Sequence, residues 1–200
     1  MPGDEVIVPA MTFVATANAI RHAGAVPHFA DSEARTLGLD AHALARHLDA
    51  VAETREGQIF NRETGARIAA ILPTHVFGHP VDMDPLLALA AAHGLPVVED
   101  AAEALGSRYH DRRCGGLGRI AALSFNGNKI LTTGGGGAIV TDDADLARHA
   151  KHLSTTAKRP HRWDFDHDEM AYNYRLPNLN AALGCAQLEQ LDDRLARKRR

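Results

Sequence analysis

The chain has 200 residues, 45% of them hydrophobic, enough for one sizeable packed domain or for a domain and part of another. A formal net charge of −3 leaves no basic excess for holding nucleic acid, and the one basic cluster, Arg194 to Arg200, reads as a solvated helix end. Two cysteines, Cys114 and Cys185, make no disulfide framework, and there is neither a secretory apolar region nor an apolar run of about 18 residues, so the expectation is a cytoplasmic protein that is not exported and does not cross a membrane.

Short apolar runs alternate with helical patterns, which predicts an α/β fold with a mainly parallel sheet. Glu5 to Pro9 reads as a strand, and Thr12 as the cap of a helix through Ala23 that Gly24 ends. Val26 to Ala30 reads as a strand and Asp40 to Val51 as a helix. Residues 53–67 are polar and read as a loop, with a turn at Asn61 to Gly65. Ile68 to Pro73 is a strand; Asp84 and Pro85 open a helix as cap and first residue, and Gly94 closes it. Strands are predicted at Pro96 to Glu99, Ile120 to Phe125 and Ala138 to Thr141, and a helix starts at Asp142 and Asp143. One long final helix runs from Asn178 to the terminus, with Leu179, Leu183, Leu188, Leu191 and Leu195 as its apolar stripe.

Lys129 is the only lysine in the first 150 residues of a chain with four lysines and eighteen arginines. It follows Ser124-Phe-Asn-Gly-Asn and precedes a run of four glycines, 134–137. Asp100 ends another apolar strand. In open α/β sheets ligands sit beyond the carboxyl ends of strands, a rule that could bring Asp100, His75 and Lys129 to one site. A lysine and an aspartate so placed are what pyridoxal phosphate (PLP) chemistry needs, an amine for the Schiff base and a carboxylate to keep the pyridine nitrogen protonated. Arginine could not replace the lysine, because a guanidinium does not give up its proton.

Several segments resemble the DegT/StrS-type sugar aminotransferases. They are Pro2 to Thr16, Leu72 to Asp84, Val98 to Gly106, Ser124 to Gly137, and Tyr172 to Leu176, in order along nearly the whole chain. The resemblance is closest to the branch that aminates UDP-linked 4-keto-6-deoxysugars, as in legionaminic-acid-type pathways. It implies the large domain of the aspartate-aminotransferase-like fold (PLP fold type I), a three-layer αβα arrangement, over residues 1–177, with 178–200 a long helix leading toward a small domain. It also implies a chain shortened at both ends, lacking a Gly-Thr-Ala phosphate turn and the small domain. Ala171 stands where relatives usually carry glycine.

Roles follow from the same resemblance. Lys129 is implied as the Schiff-base lysine and Asp100 as the partner of the pyridine nitrogen. Ser124 binds the cofactor phosphate, Phe13 packs on the ring face, and Glu103 lies near the 3-hydroxyl. Asn173 reaches the phosphate of a neighbouring subunit, which implies a homodimer with shared sites. The implied reaction moves an amino group from an amino-acid donor, glutamate, to C4 of the nucleotide-linked ketosugar in cell-surface polysaccharide biosynthesis. A dehydratase of the same fold is disfavoured because its lysine is replaced by histidine. The competing reading from another class is a catalytically silent domain that binds a partner subunit or a nucleotide-sugar.

Plainer readings stand beside these. Asp100 could cap the short turn after its strand, Phe13 could be core, and Asn173 could simply form a turn. His75 and His79 have a metal-like spacing, but Gly78 and Pro80 oppose a helix there and no third ligand is evident, so no zinc site is expected. Asp164, Asp166, Asp168 and Glu169 lack the glycine and distal glutamate of an EF-hand loop. Gly116-Leu-Gly118 precedes a strand, the wrong side for a dinucleotide fingerprint.

Overall fold

A computed structural model describes residues 1–200. In chain order the elements are β1 (Glu5–Pro9), α1 (Val14–His22), β2 (Val26–Ala30), α2 (Ala41–Val51), β3 (Ala52–Arg55), β4 (Gln58–Asn61), β5 (Ile68–Ile71), α3 (Met83–Ala92), β6 (Val98–Asp100), β7 (Arg108–Tyr109), β8 (Arg112–Arg113), β9 (Ile120–Ser124), β10 (Gly137–Val140), α4 (Ala144–Ser154), α5 (Asn178–Leu188) and α6 (Leu191–Lys198). A short 3-10 turn covers Val76–Gly78.

Successive side chains along a strand face opposite ways, and β1 uses both directions for burial. Ile7 joins a core with Leu44 and Leu48 of α2 and Met83 and Leu86 of α3. Val8 packs instead with Ile20 of α1 and Ala25. Helices therefore cover both faces of the sheet, giving the three layers expected. β1 pairs in parallel with β2 and β5, while β9 pairs in parallel with β6 and antiparallel with β10. Parallel bridges Ile71–Val97 and Thr74–Asp100 join the two trios. The strand order is thus β2-β1-β5-β6-β9-β10, and the carboxyl ends of β1, β5, β6 and β9 share one edge.

Four local expectations are corrected. Thr12 does not cap α1, whose N-cap is Phe13 with no side-chain bond; the Thr12 hydroxyl instead meets those of Thr16 and Thr74. The cap position of α3 is Asp82, not Asp84, and the Asp82 carboxylate is taken up by Tyr109 and Arg35. Residues 53–67 are not all loop, because β3 and β4 pair as a hairpin. The single helix expected from Asn178 is two helices that break at Glu189–Gln190, and of its stripe only Leu191 is buried while Leu179, Leu183 and Leu188 are exposed. The Asp40 cap of α2 is as expected, its carboxylate accepting from the backbone N–H of His42 and Ala43.

Buried carboxylates at the start of β1 make the fold acid-sensitive. Burial alone would raise the Glu5 carboxyl, but hydrogen bonds from Thr64, Asn61 and His28 outweigh it and hold it below its ordinary value of 4.5. The Arg67 guanidinium holds Asp4 down against its burial. Groups depressed in the folded state bind fewer protons there than in the unfolded chain, so their stabilisation is complete above the unfolded value and disappears as pH falls through the folded one. We expect the melting temperature to be level near neutrality and to drop as pH goes below 4.5; a melting temperature that rises in that range would contradict this.

Candidate active site

Two adjacent acidic residues, Glu99 and Asp100, end β6 and point to opposite faces. Glu99 is wholly buried. It accepts from His75 Nε2 at 2.9 Å and from the backbone N–H groups of Gly115, Leu117 and Gly118 at 2.8, 2.7 and 2.5 Å. Burial by itself would raise this carboxyl; the bonds from His75, Gly118, Gly115 and Leu117 prevail and hold it below 4.5. The Val81 N–H donates to His75 Nδ1, so the imidazole proton sits on Nε2, facing Glu99. His75 is thus locked in the interior and does not reach the edge that carries Asp100. Burial, then the Glu99 charge, pushes the neighbouring Cys114 thiol up to about 11, which makes it unreactive near neutrality.

The Glu99 loop depends on a close approach. A Cβ on Gly118 would lie 2.7 Å from the Val97 carbonyl oxygen. Gly118→Ala should therefore push the loop off Glu99 and cost about 1–3 kcal/mol in urea unfolding; a cost below about 0.5 kcal/mol, the usual range for a free surface site, would contradict this.

Asp100 faces the carboxyl edge. Thr16 Oγ1 donates to its Oδ2 at 2.6 Å and the Ala102 N–H to its Oδ1 at 3.1 Å. The turn-capping role weighed for Asp100 is therefore real, but it uses one lone pair of four. Ser124 ends β9, next to β6, and its hydroxyl accepts from the Asn126 N–H at 3.3 Å. Lys129 lies on the turn beyond, its side chain 16% exposed, with Nζ 3.1 Å from Glu103 Oε1. Glu103 stands three residues after Asp100, so the amine meets the β6 end of the sheet.

Phe13, at the amino end of α1, is 75% exposed and so is not core. Asn173 does not join the other residues. It bonds Arg175 and lines a separate groove of about 1100 Å³ along β10 and α4, one that contains neither Lys129 nor Asp100. The smaller cleft, about 310 Å³, is the one holding Lys129 and Glu103 together with Phe77, Lys198 and Arg199. The acidic loop is tied up in polar contacts: His152 hydrogen-bonds Asp168, and Arg159 forms ion pairs with Asp166 and Asp168.

Three residues at this edge escape a reading of the sequence. Thr16 holds Asp100 across 84 positions of chain. Phe77 is 70% exposed and has a φ of 53°, a left-handed conformation costly for an aromatic residue, beside Gly78 at +79°. The pair Phe77-Gly78 was the only available signal. Gln187, buried on α5, clamps Thr132 by both its backbone N–H and carbonyl, and Asn180 bonds the Thr133 carbonyl, so α5 fixes the segment after Lys129.

The family model for the DegT/DnrJ/EryC1/StrS aminotransferases matches residues 1–200. GDP-perosamine synthase of Caulobacter vibrioides is 42% identical over 199 residues, covering 100% of this chain and 49% of that protein. The crystal structure of S. venezuelae DesV in complex with a ketimine intermediate superposes with a TM-score of 0.81 at 38% identity, covering 96% of this chain and 47% of that one. Helicobacter pylori PseC, an aminotransferase of pseudoaminic acid biosynthesis, gives 0.81 at 27% identity over 94% of this chain and 47% of its own. The chain spans about half the length of the relatives it matches, and no helix in it is long and apolar enough to cross a membrane. With a sheet, a lysine turn and an acidic strand end of this form, the chain belongs to the DegT/DnrJ/EryC1/StrS aminotransferase family.

Proposed function

We propose that this chain carries the PLP-binding centre of an aminotransferase acting on a nucleotide-linked 4-keto-6-deoxysugar. The observation that carries the reading is Lys129, sheltered beside Glu103 at the edge where β6 ends in Asp100. The donor set fits the cofactor: an amine for its aldehyde, a carboxylate with two lone pairs still free for the ring N–H, and a hydroxyl for its phosphate.

PLP, when bound, supplies an aldehyde carbon for amines and a protonated ring that accepts electrons from the substrate carbon. Lys129 would hold the cofactor through its amine, the group on this chain that could carry a proton at the reacting carbon. Asp100 would keep the ring nitrogen charged, because an ion pair favours the charged form of both members. Glu103 suits a place beside the 3-hydroxyl, since aldehyde and hydroxyl are neighbours on the ring and Glu103 already meets the amine. Ser124 would hold the phosphate and Phe13 would stack on the ring face.

A homodimer with shared sites accounts for Asn173, which stands away from its own chain's Lys129 cleft, and for the exposure of Trp163, Phe165, Met170 and Leu179. On substrate, the names of three relatives specify a GDP-sugar, whereas the resemblance of the sequence motifs is to the UDP branch. The test is to load the chain with PLP and add L-glutamate, then a UDP- or GDP-linked 4-keto-6-deoxysugar. We expect one equivalent of 2-oxoglutarate per site, followed by an aminosugar, with turnover better on the UDP substrate. Faster turnover on the GDP substrate would overturn the nucleotide assignment alone. The second reading, a silent binding domain, is favoured by the lining of the Lys129 cleft, which includes Glu103 but not Asp100, and it predicts that no oxoglutarate forms although PLP is present.

A further inference from the structure

Four oxygen-bearing side chains converge where β1, β5 and β6 end. Thr12 Oγ1 lies 2.9 Å from Thr74 Oγ1 and 2.7 Å from Thr16 Oγ1, and Thr16 Oγ1 lies 2.6 Å from Asp100 Oδ2. Thr16 and Thr74 are buried. A hydroxyl has one proton and a carboxylate only accepts, which fixes the direction of every bond. Thr16 spends its proton on Asp100, so Thr12 must donate to Thr16. Thr12 then has none left, so Thr74 donates to Thr12. All three hydroxyl dipoles point along one path, Thr74 to Thr12 to Thr16 to Asp100, and such a directed chain strengthens its last bond.

We infer that Thr16 is a positioning residue for the Asp100 carboxylate, with Thr12 and Thr74 as the relay that aligns it; this rests on the proposed role of Asp100 toward the cofactor ring. The consequence is twofold. The bond fixes the rotation of the carboxylate, so that its free lone pairs keep one direction at the sheet edge. It also spreads part of the negative charge onto the relay, which sets how tightly Asp100 grips a ring proton. The backbone helps: the Thr74–Asp100 bridge holds the first and last members of the relay on adjacent strands. No other side chain donates to Asp100.

The test uses Thr16→Val, which keeps shape and loses the hydroxyl, and Thr16→Ser, which keeps the hydroxyl. PLP affinity is read by titrating the visible band of the Lys129-bound cofactor, in both the normal and the Asp100→Asn backgrounds. We expect Thr16→Val to weaken PLP by about tenfold or more and to move the band maximum, as loss of a hydrogen bond to a charged group implies. Thr16→Ser should bind within about twofold of the parent, and Thr16→Val should add nothing in the Asp100→Asn background, because residues acting through one interaction are not additive. A parent chain that binds PLP through Lys129 while Thr16→Val binds equally well, or loses as much with Asn at 100, overturns the inference and leaves the proposed function standing. A parent chain with no Lys129-dependent band overturns both.

Discussion

Lys129→Ala is expected to end amino transfer while leaving the fold intact. The side chain is a mostly sheltered amine whose one polar partner is the exposed Glu103, so its removal leaves no buried group unpaired. Proton transfer by a positioned side chain is worth about 10²–10⁴ in rate, and the substitution removes the covalent anchor as well. Activity should therefore fall by at least about 10⁴, the upper end of that range. Lys129→Arg should be equally inactive although it preserves charge, because a guanidinium does not condense with an aldehyde. Steady-state turnover with glutamate and ketosugar reads both, beside a far-ultraviolet spectrum to establish the fold. Residual activity within tenfold of the parent in either variant would remove Lys129 from the chemistry.

Glu99→Ala is expected to have the largest effect on stability. The substitution leaves His75 Nε2–H and three backbone N–H groups without their acceptor in the interior. A buried donor left without an acceptor costs about 1–3 kcal/mol, and this substitution strands several at once. Domains of this kind hold only about 5–15 kcal/mol in total. The urea midpoint should therefore fall steeply at neutral pH, and part of the population should be unfolded before denaturant is added. Glu99→Gln should fall in between, because the amide oxygen can still accept while the NH₂ group faces donors. A loss below about 1 kcal/mol for the alanine variant would mean that the loop finds other acceptors or water.

The two substitutions separate neighbouring parts of one edge. Asp100 and Glu99 are adjacent in sequence, yet one turns toward Thr16 of α1 and the other into the interior. The carboxylate inside anchors the loop from Gly115 to Gly118 and, through His75, the chain after β5. That anchorage fixes the end of β6 on which Asp100 stands. Its failure would disturb the site only by way of the fold, whereas loss of Lys129 acts at the site alone.

Much of this was readable from residues. The strands of the six-stranded sheet are mostly apolar runs bounded by turn residues, and Asp40 and Asp143 cap their helices as side-chain chemistry suggests. The β3–β4 hairpin was hidden because its turn, Glu56-Gly57, places a glutamate at φ 50°, where asparagine or aspartate would have signalled a tight turn. Thr12 had the form of a helix cap, but a hydroxyl that can bond locally can also bond Thr74, 62 positions away, and the tertiary partner won. The long terminal helix was read from a leucine stripe of which Leu179, Leu183 and Leu188 are exposed on this chain. At the site, the lysine and Asp100 stood out by scarcity and by position after strands. Thr16 and the glycine-loop donors to Glu99 did not, because their partners are set by strand pairing between distant segments. Asn173 was assigned by resemblance to a neighbouring subunit's site; on this chain it lines the groove beside β10 and not the Lys129 cleft.

The central claim is that the Lys129 amine captures the aldehyde of PLP. Incubation with PLP, reduction with borohydride and peptide mass mapping test it most directly, because reduction makes the bond permanent and the map names the residue. We expect one phosphopyridoxyl adduct per chain, on the peptide containing Lys129. Adducts spread over Lys151, Lys158 and Lys198 with Lys129 unmodified would contradict it.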